Sequence, residues 1–220
     1  MGMKSQENAA LDTRQRLLVA AGEVFAEQGF RAATIRDICH RAGANVAAVN
    51  YYFRDKQTLY AEVLKYAYEN ARAKYPSDAG LAPQASPQER LAGFVRALVY
   101  RILDQTRLAW HGTLMFHEMV EPTEALTTLV QEAIRPEFER LRGVVCELLG
   151  PEADPEQVLR CVWSIAGQCL FYYHAKHIIA ILRPQGAYPP QDMQRIADHV
   201  IEFSLSAIQC LKRGKQTETK

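Results

Sequence analysis

Between Thr34 and Asp55 the run TIRDICHRAGANVAAVNYYFRD sets three helix-capping residues and one glycine at intervals that leave room for two short helices and a tight turn. Thr34 can cap a helix from Ile35 to Ala42. Gly43 ends it, because glycine enters the left-handed region without a Cβ penalty. Asn45 can cap a second short helix from Val46 to Phe53, and Asp55 a longer one reaching roughly to Tyr75. Ile35, Ile38, Cys39 and Ala42 make one apolar stripe, and Val49 and Phe53 make another at i, i+4. A helix before them, framed by Asp12 and Gln15 as a capping box and stopped by Gly29, offers Leu17, Leu18, Ala21, Val24 and Phe25 as the covering face. The pattern reads as a helix-turn-helix.

In that reading the second short helix turns Ala47, Ala48, Asn50 and Tyr51 away from the core. Small side chains let a helix approach base edges. Asn50 can pair with adenine through two hydrogen bonds, and an alanine can touch a thymine methyl. The hydroxyls of Tyr51 and Tyr52 suit phosphate. Thr34 and Arg36 stand at a helix start, where backbone N–H groups also favour phosphate. Asn45 and Lys56 complete the candidate DNA-contacting set, Lys56 opening the next helix on the same side. Two short helices joined at a glycine also occur in proteins that never touch DNA.

Nothing in the rest of the chain reads as a strand; helical periodicity runs from Asp12 to about Lys212. Residues 76–87 hold prolines, a glycine and small residues and read as a loop. Ser86-Pro87-Gln88-Glu89 is a capping-box start for a helix reaching about Thr106, and another helix is expected from Leu108 to Val120. Pro122 and Thr123 open a long helix to Leu149 with a kink near Pro136. Asp154 and Pro155 open a helix predicted to run unbroken to Leu182. A loop follows to Pro190, then a last helix over Gln191 to Lys212 and a polar, frayed tail.

The bulk numbers of this 220-residue chain exclude little but do exclude something: 48% hydrophobic and 23% charged residues belong to an ordinary globular protein with a real core. A net charge of +1 neither supports nor opposes nucleic-acid binding, which needs only a local basic face. The N-terminus has no apolar segment of signal-peptide type, and polar residues interrupt the stretch from Trp163 to Leu182, so neither secretion nor a membrane span is expected. Five cysteines without a CxxC spacing fit a reduced, cytoplasmic protein.

The segment from Thr13 to Leu64 resembles the TetR-family DNA-binding domain along its whole length. Ala20-Ala21, Phe25, Gly29-Phe30, Thr34-Ile35, Ile38, Ala42-Gly43, Tyr52-Phe53, Lys56 and Leu59 carry the match. Ala44-Asn45 and Asn50 stand where many members have other residues. GANVAAVNYYF, together with the segment from Phe116 through Pro136, looks like the CecR-like branch. The resemblance implies an all-α protein of roughly nine helices. An N-terminal three-helix helix-turn-helix domain over 1–58 would precede a C-terminal helical ligand-binding and dimerisation domain over 59–220. It implies a repressor that binds double-stranded DNA at a palindromic operator as a homodimer and is released by a small-molecule inducer.

Residue patterns in the C-terminal half point the same way. The helix beginning near Glu156 is apolar nearly all round: Val158, Val162, Ile165 and Cys169 on one side, Leu159, Trp163, Ala166 and Leu170 on the other. The last helix is similar, with Met193, Ile196, Val200, Phe203 and Ala207 beside Ile201, Leu205 and Ile208. Helices without a polar face are buried on two sides, which a symmetric four-helix interface would accomplish. Crowded aromatics with polar tips suit an apolar or aromatic inducer. Trp110, His111, Met115, Trp163, Phe171 and His174 are the candidate ligand residues, although for any single one of them core or interface packing is the plainer reading.

His174 and His177 at i, i+3 could hold a metal with His111, His117 or Glu118, but structural histidines are the plainer reading, so no metal and no cofactor are expected. No nucleophile, base and orienting group stand together, so no enzyme is expected. Cys161 and Cys169, eight residues apart, lie about 12 Å apart along a helix, too far for a disulfide within it. A DNA-binding protein of the same fold controlled by a protein partner is the competing reading. A helical-bundle enzyme or metal protein rests on the histidines alone.

Overall fold

Every regular element among the described residues is helical, as the all-α expectation requires. The computed structural model describes residues 2–104, 110–183 and 190–218, with side chains over 12–104, 110–183 and 192–213. The order is α1 (Gly2–Ala32), α2 (Ile35–Ala42), α3 (Val46–Phe53), α4 (Lys56–Lys74), α5 (Pro87–Leu103), α6 (Trp110–Val120), α7 (Glu124–Leu129), a π-helical stretch (Val130–Ile134), α8 (Arg135–Leu149), α9 (Pro155–His174), α10 (Lys176–Leu182) and α11 (Pro190–Glu218). The expected helix ends at Thr106 and Leu108, and the loop over 184–189, lie outside the described residues.

Four expectations change. The first helix begins at Gly2, not at an Asp12 cap, and Gly29 (φ 78°, ψ 164°) breaks it without ending it. The expected kink near Pro136 takes the form of the π-helical stretch just before it. Proline has no N–H and its ring would strike a carbonyl one α-turn back, so the wider register absorbs it. The helix expected from Glu156 to Leu182 is two helices, because Ala175 (φ −91°, ψ 10°) leaves helical geometry. The last helix continues past Lys212 to Glu218.

The chain groups into two compact units. One comprises residues 1–70 with 105–134, the other 71–104 with 135–220. The division differs from a boundary at residue 58, because α6 and α7 pack with the N-terminal helices. In the first unit Leu17, Ala21, Val24 and Phe25 of α1 close over Ile38 of α2, Val49 and Phe53 of α3, and Leu59 and Tyr60 of α4. Polar clamps add direction. Arg41 of α2 makes a two-toothed pair with Glu27 of α1, both contacts at 2.7 Å. Arg14 of α1 reaches Glu62 of α4 at 2.7 Å. Arg16 of α1 donates to the Ala42 carbonyl at the end of α2 (3.3 Å).

The second unit is a bundle of α5, α8, α9 and α11 around Leu91, Val95, Leu141, Val145, Val162, Ile165, Cys169, Ala197 and Val200. The start of α5 is set by a complete capping box, Ser86 with Glu89, and Pro87 in the first turn. The buried carboxylate of Glu137 is paired with Arg101 and Arg140, each at 3.2 Å. α9 turns Val158, Val162, Ile165 and Cys169 into this core. Its opposite side stays uncovered: Trp163 is 60% exposed and Phe171 58%. α11 behaves alike, with Val200 buried and Phe203 57% exposed.

One close approach in the first unit is open to test. A Cβ at Gly22 of α1 would stand 2.4 Å from the Trp110 ring of α6, so glycine there admits the indole. Gly22→Ala should therefore lower unfolding stability by about 1–3 kcal/mol, the usual cost of overpacking. Urea denaturation checks this, and an unchanged midpoint would contradict the contact.

Candidate nucleic-acid interface

The turn between α2 and α3 forms as its residues dictate. Thr34 Oγ1 accepts from the Asp37 N–H (3.2 Å) and donates to its carboxylate (2.6 Å). Gly43 is left-handed (φ 60°, ψ 40°). Its N–H donates to the His40 carbonyl and that of Ala44 to the Cys39 carbonyl, a Schellman closure. Asn45 Oδ1 accepts from the Ala48 N–H at 2.8 Å, and Asp55 Oδ1 from the Thr58 N–H at 2.7 Å.

With Val49 and Phe53 fixed inward, α3 presents Ala47, Asn50 and Tyr51 outward, all exposed, Tyr51 at 81%. Ala48 and Tyr52 are half-buried at the edge of this face, and Tyr51 and Tyr52 meet edge-to-face at 4.9 Å. Thr34, Arg36 and Asn45 are exposed beside it. The hydroxyl of Thr34 and the amide oxygen of Asn45 are occupied by capping.

Lys56 differs from expectation. Its ammonium donates to the Arg31 carbonyl (3.1 Å) and lies 4.8 Å from the centre of the Phe30 ring. Burial pushes its pKa below the ordinary lysine value. It ties α4 to the end of α1. A residue that sequence reasoning missed is Arg54. It is exposed, caps α3 at φ 69°, and falls on the face of Ala47, Asn50 and Tyr51 at the next i+3, i+4 step. That spacing was the available signal.

The six candidate ligand residues divide between the two units. Trp110, His111 and Met115 belong to the first, Trp163, Phe171 and His174 to the second. Trp110 is core, and Met115 packs against the same core. The imidazole of His111 has its Nε2 buried with no hydrogen-bond partner among the described residues, and burial pushes its pKa down to about 4. Trp163 lies exposed and stacks on Phe138 at 5.1 Å, and Phe171 is exposed. His174 is half-buried beside Tyr173, ring centroids 5.8 Å apart.

Burial raises the thiol pKa values of Cys161 and Cys169, the latter to about 12, which makes both poor nucleophiles. Among the described residues no group of three or more His, Cys, Asp or Glu side chains is placed to hold a metal. No described helix is long and apolar enough to cross a membrane.

A capped recognition helix on a three-helix platform, followed by a separate helical bundle, defines a helix-turn-helix transcriptional regulator. Residues 17–63 match the family model of bacterial regulatory proteins of the tetR family, and residues 87–208 match that of the C-terminal domain of the HTH-type transcriptional dual regulator CecR. The chain belongs to the TetR family and carries the CecR-type C-terminal domain.

Among its relatives, the transcriptional dual regulator CecR of Shigella flexneri is 25% identical over 76% of this chain and 78% of its own. The transcriptional repressor NicS of Pseudomonas putida is 27% identical over 96% and 97%. The fold is shared with HlyIIR, a hemolysin II transcriptional regulator (TM-score 0.57, 23% identity, covering 86% of this chain and 97% of that one). It is shared too with AibR, solved with isovaleryl coenzyme A and operator DNA (TM-score 0.65, 16% identity, covering 87% and 97%).

His111 gives a pH signature. Its folded pKa of about 4 lies below the ordinary 6.5 that it regains on unfolding. Between these values the unfolded chain binds more protons, so stability falls as pH drops through that window and is unaffected above it. The loss should reach up to about 3 kcal/mol in the wild type and shrink in His111→Leu. Urea midpoints compared at neutral and mildly acidic pH read the difference.

Proposed function

We propose that this chain is a repressor that binds a palindromic operator as a homodimer and is released from it by a small molecule. The observation that carries the reading is the outward face of α3. Asn50 stands between small and hydroxyl-bearing neighbours on a helix whose inner side is fully engaged, the arrangement direct major-groove readout needs. Arg36 and Arg54 flank it as phosphate contacts, taking the part first expected of Lys56.

Homodimerisation is supported by the uncovered sides of α9 and α11. Trp163, Phe171 and Phe203 are too large and too apolar for water, and a two-fold pairing of both helices would cover them. These aromatics therefore belong to the subunit interface in this reading, and Trp163 and Phe171 are no longer needed as inducer contacts. The inducer role stays with α6 and its neighbours, where a neutral His111 with an unsatisfied nitrogen offers a hydrogen bond in an apolar setting. Proteins of similar fold have been solved with small molecules, AibR with isovaleryl coenzyme A and a protein from Saccharomonospora viridis with choline, which supports a ligand for this chain.

Asn50→Ala should weaken specific operator binding by about 1–3 kcal/mol and erode discrimination against random DNA. Arg36→Ala should weaken binding to all sequences alike and flatten its salt dependence. Operator fragments selected from a random pool, followed by titration at several salt concentrations, separate the two effects. Undiminished discrimination in Asn50→Ala would overturn the base-reading role.

The dimer is tested at Phe203, not at Val200, whose side chain lies in the protomer's own core. Phe203→Glu should yield a folded monomer by sedimentation, with the burial cost of a charge, several kcal/mol in size, opposing association. A Phe203→Glu protein that remains dimeric would place the interface elsewhere.

A further inference from the structure

One buried carboxylate of the second unit gathers more positive charge than it can balance. Arg101 Nη1 lies 3.2 Å from one oxygen of Glu137. Arg140 Nη1 lies 3.2 Å from the other oxygen, and Arg72 Nε 3.7 Å from that same atom. Arg101 alone would neutralise the carboxylate. Its side chain is 8% exposed and its Nε donates to the Tyr75 carbonyl at 2.8 Å, so it serves the fold. Beside it, Lys74 is paired with Asp104. Among the described residues, four cations of α4, α5 and α8 thus face two carboxylates, a surplus of two in a chain whose net charge is +1.

The surplus rests on Arg72 and Arg140, and both are open to water, their side chains 47% and 44% exposed. Arg72 makes no hydrogen bond with any described residue, and its approach to Glu137 is a charge contact alone. Arg140 commits its Nη1, which donates to the Ser77 hydroxyl at 2.8 Å, and leaves the rest of its fork unengaged among the described residues. Two guanidiniums from different helices are gathered at one oxygen with N–H groups to spare. Like charges held together repel, and ion pairs this exposed add little to stability. The needs of Glu137 do not account for the convergence.

The shape of the pair selects what it can receive. A carboxylate offers two coplanar oxygens, which a single guanidinium fork satisfies. A phosphoryl group offers three oxygens in a tetrahedral array, so forks arriving from two helices can each take their own. A phosphate monoester is also doubly charged above its second pKa of about 6, which matches the surplus.

We propose that Arg72 and Arg140 bind a phosphate monoester dianion, each donating its unengaged N–H groups to separate phosphoryl oxygens. Glu137 is a positioning residue: it holds the two guanidiniums side by side and does not touch the ligand. The site belongs to the second unit, whereas the recognition face and His111 belong to the first. It stands or falls without reference to DNA binding.

The test is calorimetric titration of the full-length protein with phenyl phosphate, inorganic phosphate and acetate, near pH 8 and at constant ionic strength so that screening is equal. Both phosphates should bind at one site per chain, and acetate about tenfold or more weakly. Phenyl phosphate bound more tightly than inorganic phosphate supports an ester as the ligand, and equal affinity supports recognition of the phosphoryl group alone. Arg72→Gln and Arg140→Gln should each weaken phosphate about tenfold. Arg96→Gln, at an exposed arginine of the same unit paired with Asp198, should change nothing. Circular dichroism melts establish that each variant folds. If Arg140→Gln does not fold, Arg72→Gln decides, since it removes no hydrogen bond to a described residue, and unchanged phosphate affinity there overturns the proposal. No saturable phosphate binding by the parent protein, acetate bound as tightly as phosphate, or an equal loss in Arg96→Gln overturns it as well.

Discussion

The left-handed turn at Gly43 sets the direction of everything the N-terminal unit can present. Cys39 and His40 carbonyls are closed by the N–H groups of Ala44 and Gly43, so α2 ends in one geometry and α3 starts after three intervening residues, under the Asn45 cap. With both ends fixed, the rotation of α3 is decided by Val49 and Phe53 alone. A rotation of α3 by one residue would move about 100° of helix face and bury Asn50 instead. Any residue with a Cβ at Gly43 would pay the left-handed penalty, about 1–2 kcal/mol, before any contact is counted.

Polar residues around this turn divide between building the site and serving it. Thr34 and Asn45 are exposed, yet their side-chain oxygens complete helix ends, each cap contributing about 1 kcal/mol. Lys56 closes the carbonyl of Arg31 and covers Phe30. Substituting any of these would change DNA affinity by moving α3, which is a different cause from losing a contact. Arg36, Asn50, Tyr51 and Arg54 carry no such internal duty in the hydrogen bonds of their side chains, and the functional reading rests on them.

Local chemistry was legible in the sequence, and long-range packing was not. The bounds of α2 and α3, the caps at Thr34, Asn45, Ser86 and Asp154, and the buried face of α1 all follow from near neighbours, and the structure has them. What the sequence left open needed a second element. Both sides of α9 are apolar, so periodicity could not say that Val162 faces the protomer's core and Trp163 faces out. Trp110 reads as a pocket aromatic until its ring meets Gly22, 88 positions earlier in the chain. Ala175 interrupts α9 with no glycine or proline to announce it. Lys56 looks like any basic residue at a helix start until the end of α1 comes within reach.

The uncovered aromatics of the second unit matter because of what association costs. Joining two chains requires several kcal/mol, estimated at about 4–15, to offset lost translational and rotational freedom. A large apolar side chain returns about 1.5–3 kcal/mol when it passes from full exposure to full burial. Trp163, Phe171 and Phe203 are each somewhat over half exposed, so each offers a fraction of that, doubled by two-fold symmetry. Three such anchors on each protomer, with the half-buried Leu159, Ala166 and Leu170 beside them, reach the range that offsets the cost. Any one alone would not. On the proposed reading this makes the dimer a cooperative property of the α9 and α11 surfaces. A single charge at their centre is then enough to dissolve it, while the cores of both units remain intact.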